Sequence, residues 1–155
     1  IELGGSLDDG IAEADRLGLL ESDPELDLRG VDAATKIAIV VGLLRGKPIH
    51  PGNIVKPDIR DLSVDLLRRR RSSGCTTRLV GRYGAGGRPL LRFEELPLGH
   101  PLAGARDEVT YRYQLGTGEV IEHRGSGLGA EATADAVISD LFAVAPSAVQ
   151  RGGVQ

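Results

Sequence analysis

In the first half of the chain, apolar residues recur every three or four positions, the spacing of one face of an α-helix. The first such stretch runs from Ser6 to Leu20. Ser6 followed by Asp8 and Asp9 is a typical helix start, and we expect this helix to end near Gly18. Val31 to Arg45 is apolar almost throughout, so we expect a helix with most of its circumference buried. A third helix is predicted from Ile59 to Arg71 and ends in four arginines.

Polar, proline-containing segments separate these helices. Glu21 to Gly30 contains Pro24 and ends in glycine, which predicts an ordered polar loop. Gly46 to Lys56 contains Pro48, Pro51 and two glycines and is also predicted to be a loop.

The second half of the chain changes to short runs typical of β-strands, bounded by glycine or proline. Four strands are predicted, at Thr76 to Tyr83, Leu90 to Leu96, Val109 to Leu115 and Glu119 to Arg124. Gly116 to Gly118 between the last two indicates a hairpin. An Ala-rich helix is expected from Ala130 to Ala145, followed by a frayed tail from Pro146 to Gln155. Helices first and strands later predict an α+β fold, with helices packed on one mixed or antiparallel sheet.

The composition and charge of the chain disfavour several classes of function. The 155 residues suit one domain, and a net charge of -3 gives no overall attraction to nucleic acid or to an anionic membrane. No apolar run is long enough to span a bilayer, so we expect a cytoplasmic protein. Cys75 is the single cysteine, and the three histidines are scattered at spacings that suit no metal motif, so no metal is expected.

The densest polar pattern lies between Glu21 and Lys36. Asp32 and Lys36 are four residues apart at the start of the apolar helix and therefore share a face. One interpretation is an ordinary ion pair within the helix. The other is a functional pair, because charges on an otherwise apolar helix behind an acidic loop are costly unless they are used.

The same stretch resembles the catalytic-region signature of homoserine dehydrogenases. Eight residues fall on that signature without a gap: Gly18, Glu21, Asp23, Pro24, Asp27, Gly30, Asp32 and Lys36. Leu96 to Ala103 resembles the family's segment that ends in His-Pro-Leu-Ala. Gly125 to Leu141 resembles its glycine-rich turn and closing helix. The resemblance therefore covers nearly the whole chain.

The resemblance implies NAD(P)-dependent interconversion of L-homoserine and L-aspartate 4-semialdehyde, a step toward threonine, methionine and isoleucine. It implies that Lys36 is the acid/base, assisted by Asp32, and that Glu21, Asp27 and Asp32 hold the substrate. Carboxylates suit the ammonium group of homoserine, and reduction of an aldehyde by hydride requires a proton donor.

Gly125, Gly127 and Gly129 follow a strand and precede a helix, so their backbone could approach a cofactor ring. The segment also fits the G-x-G-x-x-A dinucleotide fingerprint, but too few residues follow it to complete a nucleotide-binding domain. We therefore reject the Rossmann interpretation. The resemblance implies that these glycines close over the nicotinamide of NADP or NAD held mainly by another domain, and a simple strand-to-helix turn is the alternative.

Two other polar features are expected to be structural. Arg68 to Arg71 could contact nucleic acid, but a solvated helix end is the interpretation we favour. His50 and His100 each precede proline, and no catalytic role is assigned to them.

Three positions depart from the family pattern: Leu19, Arg78 and Thr110 stand where an aromatic residue, lysine and asparagine are usual. These changes leave Glu21, Asp32 and Lys36 in place but allow a divergent relative with another substrate.

The absence of methionine and the opening on Ile1 indicate a piece of a longer protein. We interpret residues 1–145 as the catalytic domain of such an enzyme, without its N-terminal nucleotide-binding domain, and expect this chain alone to be inactive. The resemblance also implies a homodimer. The alternative from another class is a non-catalytic dimerisation or ligand-sensing module on the same fold.

Overall fold

The computed structural model describes residues 5–84, 86–104, 108–126 and 134–143. It confirms the α+β class. The helices are α1 (Leu7–Arg16), α2 (Pro24–Leu28), α3 (Val31–Arg45), α4 (Val64–Ser72) and α5 (134–143). The strands are β1 (Cys75–Arg82), β2 (Leu90–Pro97), β3 (Glu108–Gln114) and β4 (Val120–Ser126). Three short 3-10 turns lie at Pro51–Asn53, Ile59–Asp61 and Pro101–Ala103.

Helix α1 begins and ends as its sequence predicts. The Ser6 hydroxyl accepts from the Asp9 N–H at 3.1 Å, and the Asp9 carboxylate accepts from the Ser6 N–H at 2.8 Å, which completes a capping box. At the other end Gly18 adopts φ 65°. There the Leu19 and Gly18 N–H groups donate to the carbonyls of Ala14 and Asp15, which closes a Schellman motif.

The segment from Glu21 to Gly30 contains a short helix, so the prediction of a loop throughout was wrong. Asp23 caps α2 by accepting from the Glu25 N–H at 3.1 Å, and Pro24 occupies the first turn, where no N–H donor is needed. Proline and the acidic residues were interpreted as loop formers, but here they start a helix.

Helix α3 has the predicted bounds, but the expectation that most of its circumference is buried was wrong. One face packs, and its buried residues are Ala34, Ala38 and Val41. On the opposite side Leu43 is 78% exposed and Ile39 is 58% exposed. The buried face meets Ile54 and Leu91, and these contacts cover only one side of the helix among the described residues.

The predicted helix from Ile59 to Arg71 is interrupted. Ile59–Asp61 forms a 3-10 turn, Leu62 is extended with ψ 125°, and α4 starts only after Ser63. Asp58 caps the start of the 3-10 turn by accepting from the Arg60 N–H at 2.9 Å, and the extended Leu62 ends the turn before α4 begins.

The strands form two antiparallel pairs among the described residues, not the one sheet expected. β1 pairs with β2 so that Leu79 faces Phe93, and β3 pairs with β4 so that Tyr111 faces His123. The β3–β4 hairpin is confirmed, with Gly118 at φ 86° in its turn. Alternation and turn residues identify a hairpin, whereas they do not encode how two hairpins join.

Two compact units make up the chain, Ile1–Ala103 and Gly104–Gln155. The first holds a small aliphatic core, in which Ala34, Ala38, Ile54 and Leu91 form one cluster and Val80, Leu96 and Ala103 another. In the second, α5 exposes all its side chains. The predicted tail lies outside the described residues, and none of the helices described is long and apolar enough to cross a membrane.

Candidate functional site

The first two turns of α3 bring two predicted site residues into direct contact. Lys36 Nζ lies 2.7 Å from Asp32 Oδ2, and the side chains are 52% and 31% exposed. An exposed pair at this spacing contributes about 0.3 kcal/mol, so its value to the fold is small. Among the described residues the helix face that carries the pair is open to solvent, so these charges do not stand in the buried apolar setting expected from the sequence. The pair is nevertheless accessible to a small polar ligand.

Glu21 is exposed at the start of the segment that leads through α2 into α3. Its backbone N–H donates to Asp27 Oδ2 at 2.7 Å, which folds the residues before α2 back onto that helix. Within the part of the chain that is described, the Glu21 carboxylate forms no hydrogen bond or ion pair. Glu21 therefore has a fixed backbone and an available carboxylate, whereas one oxygen of Asp27 is already engaged.

Gly30 joins α2 to α3 in a way that requires glycine. Its φ is 62°, and a Cβ there would lie 3.1 Å from the Pro57 carbonyl oxygen. Gly18, Asp23, Pro24 and Asp27 likewise have structural tasks, so most of the signature builds the scaffold. Glu21, Asp32 and Lys36 are the signature residues left to present polar groups to a ligand.

Arg60 is a residue of this region that sequence reasoning missed. Its guanidinium donates to both oxygens of Glu25 at 3.1 and 2.9 Å, and to both oxygens of Asp58 at 2.8 and 2.7 Å. These bonds hold the pKa of Asp58 at about 2, chiefly through the Arg60 side chain, and raise the pKa of Arg60. Because Glu25 and Arg60 are distant in sequence, spacing alone carried no signal for this contact.

The glycine-rich turn is described only at its start. Gly125 lies in β4, is exposed, and has open space where a Cβ would stand. Gly127 and Gly129 lie outside the described residues. The strand pairs described are antiparallel, so this part of the chain contains no parallel βαβ unit of the kind that holds a dinucleotide.

His50 and His100 stabilise turns. His50 Nδ1 accepts from the Gly52 N–H at 3.0 Å, and His100 Nδ1 accepts from the Leu102 N–H at 3.1 Å.

Arg78, one of the departures from the family pattern, donates through Nε to the Ala103 carbonyl at 2.8 Å. It thereby ties β1 to the end of the His-Pro-Leu-Ala segment. Thr110 lies in β3 opposite Arg124, and Leu19 is 42% exposed.

The arginine cluster of α4 divides into two kinds of side chain. Arg68, Arg69 and Arg71 are exposed, as a solvated helix end predicts. Arg70 is only 19% exposed; it donates to Thr77 Oγ1 at 3.0 Å, and its Nε lies 2.9 Å from Glu95 Oε2. It therefore anchors α4 to the β1–β2 pair.

A cavity of about 660 Å³ opens between α1, α2, α4 and β1. Asp27 and Gly30 contribute to its wall, whereas Glu21, Asp32 and Lys36 do not. Of the predicted substrate residues only Asp27 therefore borders the cavity, and Glu21, Asp32 and Lys36 lie outside it among the described residues. In the same part of the chain, no group of three His, Cys, Asp or Glu residues is arranged to hold a metal ion.

Comparisons with known proteins identify the family of this chain. The sequence model of the homoserine dehydrogenase family matches residues 2–142. The chain is 32% identical to the homoserine dehydrogenase of Bacillus subtilis over 139 residues, which are 86% of this chain and 32% of that protein. It therefore spans about a third of the length of the curated relatives it matches.

Solved structures extend the likeness to the fold. A homoserine dehydrogenase from Thiobacillus denitrificans superposes with a TM-score of 0.75 at 28% identity, over 89% of this chain and 33% of that one. A hyperthermophilic archaeal homoserine dehydrogenase in complex with NADPH gives 0.73 at 26% identity, over 91% and 40%.

Proposed function

The chain belongs to the homoserine dehydrogenase family, and on that premise we propose that it is the substrate-handling part of an NAD(P)-dependent enzyme. The reaction is the interconversion of L-homoserine and L-aspartate 4-semialdehyde, in the cytoplasmic synthesis of threonine, methionine and isoleucine. The observation that carries the proposal is the accessible Asp32–Lys36 pair, 2.7 Å apart, at the end of a segment that Asp27 and Gly30 hold in place.

In this proposal Lys36 handles the proton. Its Nζ donates a proton to the aldehyde oxygen during reduction and takes it back from the hydroxyl of homoserine during oxidation. Asp32 keeps the Lys36 ammonium on the outer face of α3, through the 2.7 Å contact. Homoserine also carries its own ammonium, and the carboxylates of Glu21 and Asp32 are suited to bind it. Asp27 supports Glu21 through the backbone and contacts the substrate at most with its other oxygen.

NADP or NAD, when bound, supplies or accepts the hydride. Gly125, with no side chain and open space at its Cβ position, fits a flat ring that approaches the end of β4. We propose that Gly127 and Gly129 complete this contact. Since the described residues lack a dinucleotide-binding βαβ unit, the rest of the cofactor is proposed to lie on another domain, and this chain alone is proposed to be inactive.

The test is oxidation of L-homoserine by the protein in which this chain is joined to its nucleotide-binding domain, followed through formation of reduced nicotinamide. Activity with L-homoserine that exceeds activity with L-serine and L-threonine supports the proposal. Activity confined to another hydroxy acid would indicate a divergent relative, and Leu19→Tyr and Thr110→Asn would then test whether those departures set the substrate.

Homodimerisation is proposed as well, supported by large apolar side chains that the described units leave exposed, such as Leu43 on α3 and Phe142 on α5. If the complete protein dimerises but neither binds homoserine nor reacts with it, the alternative, a non-catalytic module on this fold, is the better description. Sedimentation velocity together with homoserine titration separates these outcomes.

A further inference from the structure

We infer that Arg60 is a positioning residue for substrate binding, which acts by clamping helix α2 and, through it, Glu21. This inference rests on the proposed function, because it gives Glu21 the task of binding the homoserine ammonium. A series of contacts links Arg60 to Glu21.

The first contact joins two segments that are distant in sequence. Arg60, in the 3-10 turn Ile59–Asp61, shares its planar guanidinium between Asp58 of its own turn and Glu25 of α2. Both carboxylates are bound through both oxygens, an arrangement that lysine, with a single ammonium, cannot reproduce. Because Asp58 fixes the guanidinium plane, the side-chain entropy lost in binding Glu25 is smaller than for an isolated surface pair.

The second contact lies within α2 itself. That helix has only five residues, so it is too short to be stable without anchors. Asp27 follows Glu25 in this helix and accepts the Glu21 N–H at 2.7 Å. A shift of α2 therefore displaces Asp27, and the backbone of Glu21 moves with it.

A separate contact fixes the C-terminal end of the Glu21–Gly30 segment. Gly30 packs against Pro57, which directly precedes Asp58, so the loop that carries Arg60 supports both α2 and the start of α3. Without the Arg60–Glu25 contact, we expect the Glu21 end of the Glu21–Gly30 segment to become more mobile. The contact between Gly30 and Pro57 should keep α3 and Lys36 in place. We therefore expect weaker binding of the substrate and a nearly unchanged rate of the chemical step.

The structural arm of the test is hydrogen exchange of the protein that also carries its nucleotide-binding domain, compared for wild type, Arg60→Gln and Arg16→Gln. Arg16 is the matched control, because it forms an exposed two-point pair with Glu13 at 2.7 and 2.6 Å within α1 and makes no hydrogen bond or ion pair with α2 among the described residues. We expect R60Q to speed exchange of the amides from Glu21 to Gly30 about three- to ten-fold, and R16Q to leave them unchanged. Equal exchange in R60Q and wild type would overturn the clamp.

The kinetic arm uses the protein that also carries its nucleotide-binding domain. R60Q should raise KM for L-homoserine about three- to ten-fold, with kcat within about two-fold of wild type, and R60K should restore only part of the loss. Glu25→Gln removes the clamp from the other side, so it should match R60Q, and the double variant should add little. A fall in kcat with unchanged KM would overturn the inference.

The two arms also separate this inference from the proposed function. A wild-type protein without homoserine activity, combined with faster exchange in R60Q, would refute the proposed function and leave the clamp as structure alone. Homoserine activity combined with unchanged exchange and kinetics in R60Q would refute the positioning role and leave the proposed function intact.

Discussion

The Asp27 carboxylate accepts a hydrogen bond from the Glu21 backbone N–H at 2.7 Å, six residues before it. This contact uses Asp27 to fix the backbone of Glu21, which is proposed to bind the substrate. It also means that Asp27 and Glu21 should not behave as two equivalent substrate carboxylates.

Replacement of Asp27 tests that distinction. Asp27→Asn retains an oxygen that can accept the Glu21 N–H, whereas Asp27→Ala does not. We expect D27A to destabilise the chain by about 1 kcal/mol and to raise KM for homoserine, and D27N to do less of both. Urea unfolding and steady-state kinetics check the two effects. Equal losses in D27A and D27N would show that the charge of Asp27 acts on the substrate directly.

Gly30→Ala should destabilise the chain by about 2 kcal/mol, because alanine is strained at φ 62° and its Cβ would lie 3.1 Å from the Pro57 carbonyl oxygen. Gly46→Ala is the matched control: Gly46 has φ 60° and nothing within 4 Å of its Cβ position. The difference between the two variants in urea unfolding measures the Pro57 contact. If G30A and G46A lose equal stability, close packing at Gly30 is not significant.

Much of this region could be predicted from sequence, because caps and periodicity are local. Ser6, Gly18 and the bounds of α3 follow from neighbours within a few residues. The loop expected from Glu21 to Gly30 proved to contain α2, since Pro24 starts a helix as readily as it ends one. The Arg60–Glu25 contact and the exposed side of α3 depend on tertiary packing, which no local pattern encodes.

The same limit applies to the candidate site. The four-residue spacing of Asp32 and Lys36 predicted their contact, and the structure has it. The spacing did not predict that this face of α3 is open, because the burial of α3 was judged from its apolar composition alone. The described residues pack only the face that carries Ala34, Ala38 and Val41.

The free energy of unfolding should depend on pH through Glu94, whose side chain is 10% exposed. The Glu94 carboxylate accepts two hydrogen bonds from the Arg82 guanidinium, at 2.7 and 2.6 Å. Arg82, with a smaller contribution from Arg92, lowers the pKa of Glu94 from 4.5 to about 2. The unfolded chain therefore binds a proton on this group before the folded chain does. The stabilisation is complete above the unfolded pKa and is lost as the pH falls toward about 2.

The variant that measures this dependence is Glu94→Gln. The free energy of unfolding should differ between wild type and E94Q most at neutral pH, and the difference should shrink between about pH 5 and pH 2. Glu119→Gln serves as control for the loss of one negative charge, since Glu119 makes no ion pair among the described residues. A wild-type-to-E94Q difference that stays constant over that range would contradict the role of the Arg82–Glu94 pair.

Lys36→Gln tests whether Lys36 transfers the proton, by homoserine-dependent reduction of NADP or NAD in the protein that carries its nucleotide-binding domain. We predict that kcat falls by about 10²–10⁴-fold while cofactor affinity stays near wild type, because the group that moves the proton is gone. Lys47→Gln, which changes an exposed lysine just beyond α3, should keep full activity. Undiminished kcat in K36Q would show that Lys36 is not the acid/base of the reaction.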